Sequence, residues 1–104
     1  MSPSPEQDAP LVVIARMRAK PGQEGRLRAA LDRLVTATRA EEGCLAYDLH
    51  VGVDDPQLFS FYEQWTSRAA HDAHDGAPHV AAFREQAAEL LDGAPQVDRL
   101  APAT

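Results

Sequence analysis

The segment from Leu58 to Trp65, LFSFYEQW, constrains the fold of this chain more than any other. Apolar or aromatic residues occur at both odd and even positions, so a strand built from it has no wholly polar face. One face would carry Phe59, Phe61, Glu63 and Trp65, and the other Leu58, Ser60, Tyr62 and Gln64. A strand of this kind has to be covered on both sides. We therefore predict helices on one face of this strand and a further surface on the other, and a central position in the sheet for the strand at 11–19, which is apolar on both faces at its start.

The hydrophobic periodicity before and after this strand predicts two β-α-β units. Strands are predicted at 11–19, 44–51, 57–65 and 96–101, and helices at 23–40, 68–75 and 79–92. The first helix has apolar residues at i, i+3, i+4, i+7 and i+8, and Pro78 suits the first turn of the last one. The predicted fold is α+β: a ferredoxin-like β-α-β-β-α-β chain with a four-stranded antiparallel sheet, its second helix broken at Gly76 to Pro78.

The second strand is expected to alternate regularly. Its apolar face would be Leu45, Tyr47, Leu49 and Val51, and its other face Cys44, Ala46, Asp48 and His50. In a ferredoxin-like sheet the face opposite the helices is open, and here it is too apolar to be left in water. We therefore predict a homodimer that stacks sheet on sheet.

The length, charge and cysteine content of the chain limit the kinds of protein that it can be. At 104 residues the chain has material for one domain, predicted at 11–101, with a disordered leader at 1–10 and a short tail at 102–104. A net charge of −6 argues against nucleic acid as a partner. We expect no membrane contact and a cytoplasmic location, because no apolar run is long enough to span and the N-terminus lacks a signal pattern. The single cysteine, Cys44, receives no role.

Glu63 is the one carboxylate in the aromatic face of the predicted third strand. Two interpretations are open. The aromatic residues could be ordinary core while Glu63 pairs with an arginine. Alternatively, Trp65 and Phe61 could stack against a planar ligand while Glu63 orients a base or a ligand hydroxyl.

Three histidines follow this strand closely. His71, His74 and Asp75 share one helical face by their i, i+3 and i+4 spacing, and His79 begins the next helix. Because imidazole titrates near neutral pH, a histidine lining an apolar pocket could take a proton from a phenolic or enolic substrate. Each could instead be a surface or capping residue. A His-Asp-His metal site is a weaker alternative, and we predict no metal.

A resemblance to a known family rests on four motifs in order. They are Lys20-Pro21-Gly22, Glu42-Gly43-Cys44-Leu45-Ala46-Tyr47, Phe59…Tyr62-Glu63-Gln64-Trp65, and His74 with His79…Phe83. Together they resemble the antibiotic biosynthesis monooxygenase family of the dimeric α/β barrel superfamily, which includes small quinol monooxygenases. The resemblance covers about residues 10–101.

The resemblance implies a dimer with a pocket between sheet and helices in each subunit. It also implies oxidation of a phenol, quinol or anthrone to a quinone by dioxygen, without metal, flavin or haem. Trp65 and Phe61 would form the stacking wall, and His74 or His79 would be the base. Glu63 and Tyr47 would position the substrate, with His71 and Phe83 completing the binding site.

Departures from the family pattern keep other functions open. Many members have an asparagine where this chain has Cys44, and the residues that haem-degrading relatives need are not matched by Ala15, His74 and Arg84. Other members of the superfamily isomerise small ketones. The alternatives are therefore an isomerase and a non-catalytic, ligand-binding dimeric module.

Overall fold

The computed structural model describes residues 10–104. Its elements are β1 (Leu11–Arg18), α1 (Glu24–Arg39), β2 (Cys44–Val51), β3 (Leu58–Trp65), α2 (Arg68–Asp75), α3 (Pro78–Leu90) and β4 (Gln96–Leu100). The predicted α+β, ferredoxin-like order is confirmed, including the break in the second helix. The predicted leader lies, except for Pro10, outside the described residues.

The four strands form one antiparallel sheet in the order β2-β3-β1-β4. β3 therefore lies between β2 and β1, and β1 lies between β3 and β4, which confirms the central position predicted for the first strand. Cross-strand pairing puts Val13 opposite Glu63, Ala15 opposite Phe61 and Met17 opposite Phe59. These residues all belong to the buried face, so the aromatic face of β3 is the face that the helices cover.

The first helix covers the sheet with the stripe that its periodicity predicts. The buried residues of α1 are Leu27, Ala30, Leu31, Leu34 and Thr38. Within residues 10–104, none of the helices combines the length and apolar character that crossing a bilayer requires.

A local signal marks the start of each half of the broken second helix. Ser67 caps α2, because its hydroxyl oxygen accepts a hydrogen bond from the Ala70 backbone N–H at 3.1 Å. Pro78 occupies the first turn of α3, where its missing N–H costs no helical bond. His74 and His79 are thereby held near each other on consecutive short helices.

The predicted alternation of β2 is wrong at its start. The register shifts between Cys44 and Ala46, so that Cys44 lies opposite Trp65 while Tyr47 lies opposite Glu63. A β-bulge inserts one extra residue, and the side chains before it therefore change faces. Cys44 is half-buried against the core, whereas Leu45 is 56% exposed.

The opposite face of the sheet remains accessible. Its apolar side chains are only partly buried or exposed: Val12, Ile14, Leu58, Tyr62 and Leu100. Tyr62 is 36% exposed and Leu100 45% exposed. This surface is called the open face below.

Gly43 allows a close approach between the turn after α1 and the start of α2. Its φ is +88°, and a Cβ there would lie 2.7 Å from Ala70 Cβ and 2.9 Å from Thr66 Oγ1. Its carbonyl oxygen also accepts a hydrogen bond from the Thr66 backbone N–H at 2.9 Å. A side chain would therefore push the turn away from α2.

We expect Gly43→Ala to lower the free energy of unfolding by about 2–4 kcal/mol, because it combines backbone strain with overpacking. The matched control is Gly22→Ala, where φ is +84° but nothing lies within 4 Å of the new Cβ. That variant should lose only about 1–2 kcal/mol. Urea denaturation of both variants and the wild type measures the difference. Equal losses would contradict the close approach.

Candidate active site

A cavity of about 240 Å³ lies between the sheet and helices α2 and α3. We call it the inner cavity. The predicted site residues that line it are Tyr47, Phe61, Glu63, His71, His74 and Phe83. The rest of its lining is mainly apolar, from residues such as Met17, Val80 and Val97, with Asp75 and Arg84 as charged members. Trp65 and His79 are not part of the lining.

Glu63 is a buried carboxyl group, 3% exposed, in an otherwise aromatic face. Burial raises its pKa from the ordinary 4.5 to about 7. The Trp65 indole opposes this shift, because Nε1–H donates a hydrogen bond to Glu63 Oε1 at 2.9 Å. Near neutral pH the carboxyl is therefore partly protonated, and it can donate as well as accept a hydrogen bond. Within residues 10–104 no arginine pairs with Glu63.

His71 is the second polar group of the inner cavity, and it is 3% exposed. Its Nε2 lies 3.8 Å from Glu63 Oε1, which is too long for a hydrogen bond. Its Nδ1 is buried and has no partner among the described residues. Burial also lowers the pKa of His71, so the neutral imidazole is favoured. A buried ring nitrogen without a partner is a group that a polar ligand could satisfy.

Aromatic contacts fix the wall of the cavity. The rings of Tyr47 and Phe61 are stacked with centroids 4.4 Å apart. Burial raises the pKa of Tyr47, so its hydroxyl stays protonated. Trp65 is fully buried beneath this wall, with its ring centroid 4.9 Å from that of His74. Phe61 and Tyr47 can therefore contact a ligand, whereas Trp65 orients Glu63 and supports His74.

Glu41, in the turn between α1 and β2, contacts both remaining histidines. Its Oε2 lies 2.6 Å from His74 Nδ1 and 2.8 Å from His79 Nε2. Sequence reasoning missed Glu41, because it lies 33 and 38 residues from its partners. The only available signal was that a buried histidine needs a hydrogen-bond partner from elsewhere in the chain.

The same three side chains offer donor atoms that lie within 4.8 Å of one another, so a divalent metal has to be considered. Ligands held at about 2.0–2.2 Å from a tetrahedral zinc ion are roughly 3.3 Å apart. Both contacts of Glu41 Oε2 are shorter than this and have the length of charge-assisted hydrogen bonds. The geometry fits a carboxylate shared by two imidazoles better than a set of metal ligands.

The His79 side chain lies at a different surface from the inner cavity. A groove of about 300 Å³ between α1 and α3 is lined by residues that include Leu34, His79 and Phe83. Phe83 therefore separates this groove from the inner cavity, since it lines both. His74 faces the inner cavity, and His79 faces the groove.

Residues 10–86 match the antibiotic biosynthesis monooxygenase family. The chain belongs to this family. The Mycobacterium tuberculosis protein named "Putative monooxygenase Rv0793" is 45% identical over 94 residues, which are 90% of this chain and 92% of that protein. "Probable quinol monooxygenase YgiN" of Escherichia coli is 38% identical over 86 residues, covering 72% of this chain and 82% of that protein.

Solved structures agree with the family assignment. The structure of Rv0793 has a TM-score of 0.86 at 42% identity and covers 92% of this chain and 97% of that chain. The crystal structure of PA3566 from Pseudomonas aeruginosa has a TM-score of 0.86 at 38% identity, with coverage of 91% and 95%. The ferredoxin-like fold, the family and a monooxygenase-type function are thus supported together.

The raised pKa of Glu63 predicts a pH dependence of stability. Between about pH 4.5 and about pH 7 the unfolded state ionises this carboxyl while the folded state keeps it protonated. The unfolded state then binds fewer protons, so Glu63 lowers stability progressively as pH rises through this window, by up to about 3 kcal/mol. The Glu63→Gln variant should not show this loss of stability between about pH 4.5 and about pH 7, because glutamine does not ionise. Its amide oxygen can still accept the hydrogen bond from Trp65.

Urea denaturation of the wild type and Glu63→Gln across this pH range measures the effect. Glu85→Gln, which removes an exposed carboxylate of α3, is the matched control for loss of one charge. Parallel stability profiles for the wild type and Glu63→Gln would show that Glu63 ionises normally.

Proposed function

We propose that the protein is a cofactor-independent monooxygenase that oxidises a phenolic or quinol substrate to a quinone with dioxygen. One observation carries the proposal: the inner cavity brings His74 and Glu63 against the stacked rings of Tyr47 and Phe61. An apolar, aromatic pocket with a few polar groups suits a planar phenol. Membership of the antibiotic biosynthesis monooxygenase family supports the same class of reaction.

In the proposed mechanism, His74 removes the proton from the substrate hydroxyl. The resulting phenolate is electron-rich and can itself reduce dioxygen, so the protein need only bind, deprotonate and exclude water. One oxygen atom enters the ring and the other leaves as water, which gives the quinone. A neutral Glu63 donates a hydrogen bond to a substrate oxygen on which charge develops.

The size of the inner cavity narrows the substrate class. An apolar cavity of about 150 Å³ holds one benzene molecule. A cavity of about 240 Å³ therefore suits one or two fused rings better than the three rings of an anthrone.

With naphthohydroquinone we expect protein-dependent oxygen uptake and a hydroxynaphthoquinone that carries one labelled atom from isotopically labelled dioxygen. An anthrone should react more slowly, because its third ring exceeds the cavity. His74→Ala should lower kcat by about a hundredfold or more, as loss of a general base does. An oxygen electrode and mass spectrometry of the product measure both effects.

His50→Ala, which alters an exposed histidine of β2 outside the cavity, is the matched control. Spontaneous oxidation is subtracted with a sample without protein. If no phenol, quinol or anthrone consumes oxygen above this background, the proposal fails. Turnover that continues unchanged without oxygen would instead favour an isomerase of a small ketone.

We also propose that the protein acts as a homodimer whose two open faces stack on each other. The support is the apolar strip formed by Val12, Ile14, Tyr62 and Leu100, which is wider than an isolated surface side chain. Arg16 and Asp98 flank this strip on neighbouring strands, 3.8 Å apart, and provide a polar rim.

Tyr62→Glu should convert the dimer to monomer, because it introduces a charge into the centre of the proposed interface. Light scattering coupled to size-exclusion chromatography gives the mass. Val53→Glu is the matched control, since Val53 is 98% exposed in the hairpin turn. A wild type that is monomeric at micromolar concentration, or a Tyr62→Glu variant that stays dimeric, would refute this arrangement.

A further inference from the structure

We infer that Glu41 is the positioning residue of the site, and that it fixes His74 in the tautomer whose Nε2 is free to act as the base. This inference rests on the proposed function for its kinetic consequence, but its structural content does not. Glu41 belongs to neither the cavity lining nor the aromatic wall.

The first step is the direction of the hydrogen bond. An ionised carboxylate can only accept, so the short contact between Glu41 Oε2 and His74 Nδ1 requires the proton to be on Nδ1. In a neutral imidazole the other nitrogen, Nε2, then carries the lone pair. Among the described residues, no hydrogen bond occupies His74 Nε2. His74 therefore presents an unused acceptor in a residue that lines the inner cavity.

The second step is the role of His79. Its Nε2 lies 2.8 Å from the same carboxylate oxygen, so it acts as a second donor to Glu41. The His79 side chain is 24% exposed, whereas that of His74 is 7% exposed. His79 thus holds the carboxylate in place from the solvent side, while His74 is the histidine in contact with the cavity.

The third step is the rigidity of the assembly. The Glu41 backbone N–H donates to the Thr38 carbonyl oxygen at 2.9 Å, which anchors the turn to the end of α1. The His74 ring packs beside the rings of Tyr47 and Trp65, at centroid distances of 5.5 and 4.9 Å. These two aromatic contacts and the Nδ1 hydrogen bond to Glu41 together restrict rotation of the His74 ring.

The proton balance follows from this arrangement. When the substrate O–H bond breaks, its proton forms the Nε2–H bond of His74, and the ring becomes an imidazolium. Glu41 does not take the proton. Its negative charge stabilises the imidazolium through the existing Nδ1–H hydrogen bond.

The test begins with the ring nitrogens themselves. Two-bond proton–nitrogen correlation spectra of the histidine rings, recorded in alkaline buffer where imidazole is neutral, report the tautomer of each histidine. We expect the Nδ1–H tautomer for His74 in the wild type and a mixture or the Nε2–H tautomer in Glu41→Leu, which removes the acceptor. Glu41→Gln keeps an amide oxygen that can still accept from Nδ1–H but removes the charge. Glu42→Gln, which removes the adjacent exposed carboxylate, is the matched control and should leave the His74 signals unchanged.

The kinetic arm uses the same variants with naphthohydroquinone. Glu41→Leu should lower kcat about ten- to a hundredfold with little change in KM, because the substrate-binding contacts remain and only the base loses its positioning partner. Glu41→Gln should lower kcat less, because it can still hold the Nδ1–H. His79→Gln should lower kcat less, since His74 keeps its acceptor. Glu42→Gln should match the wild type.

Two results would overturn the inference: a wild-type His74 protonated on Nε2 in alkaline buffer, or an unchanged tautomer in Glu41→Leu, which has no acceptor. Stoichiometric uptake of Zn²⁺ that removes the Nδ1 proton and is lost in Glu41→Gln would also overturn it, by assigning the cluster to a metal. The wild-type spectrum by itself tests the tautomer of His74, even if the Glu41 variants do not fold. If the tautomer is as expected but no substrate consumes oxygen, the proposed function fails and the positioning role of Glu41 stands.

Discussion

The carboxylate of Glu41 is the contact that links three elements beside the candidate site. It joins the turn after α1 to His74 in α2 and to His79 in α3. Charge-assisted hydrogen bonds of this kind are strong because little water competes with them. The turn reaches this position because Gly43 lets its backbone approach Ala70. One glycine and one carboxylate therefore join the turn after α1 to the two helices that follow β3.

Most of the fold was predictable because it follows from local periodicity. The apolar stripe of α1, the cap at Ser67 and the proline at the start of α3 are each encoded within a few residues. The β-bulge at Leu45 was not predictable, because the residues there alternate as a regular strand would. The bulge is a property of how β2 pairs with β3, and sequence alone contains no signal for that register.

The residues of the candidate site were also predictable only where the signal is local in the sequence. Phe61 and Glu63 were found because strand alternation places them on one face of β3, and both line the inner cavity. Tyr47 was named as a site residue only through the resemblance to the family. His74 and His79 were found by type, yet their different surroundings could not be told apart. Glu41 was missed because its contacts exist only after the sheet and helices have packed. Hydrophobic periodicity predicts local structure, so it cannot identify residues whose contacts are distant in the sequence.

Two glutamates of the candidate site have different surroundings. Glu63 is surrounded by aromatic rings and has a neutral indole as its hydrogen-bond donor, so burial raises its pKa to about 7. Glu41 instead accepts hydrogen bonds from two imidazoles. Burial among aromatic rings favours a neutral Glu63 carboxyl, which can donate a hydrogen bond as well as accept one. A single fold thus gives two identical side chains different partners: one indole N–H for Glu63, and two histidine rings from separate helices for Glu41.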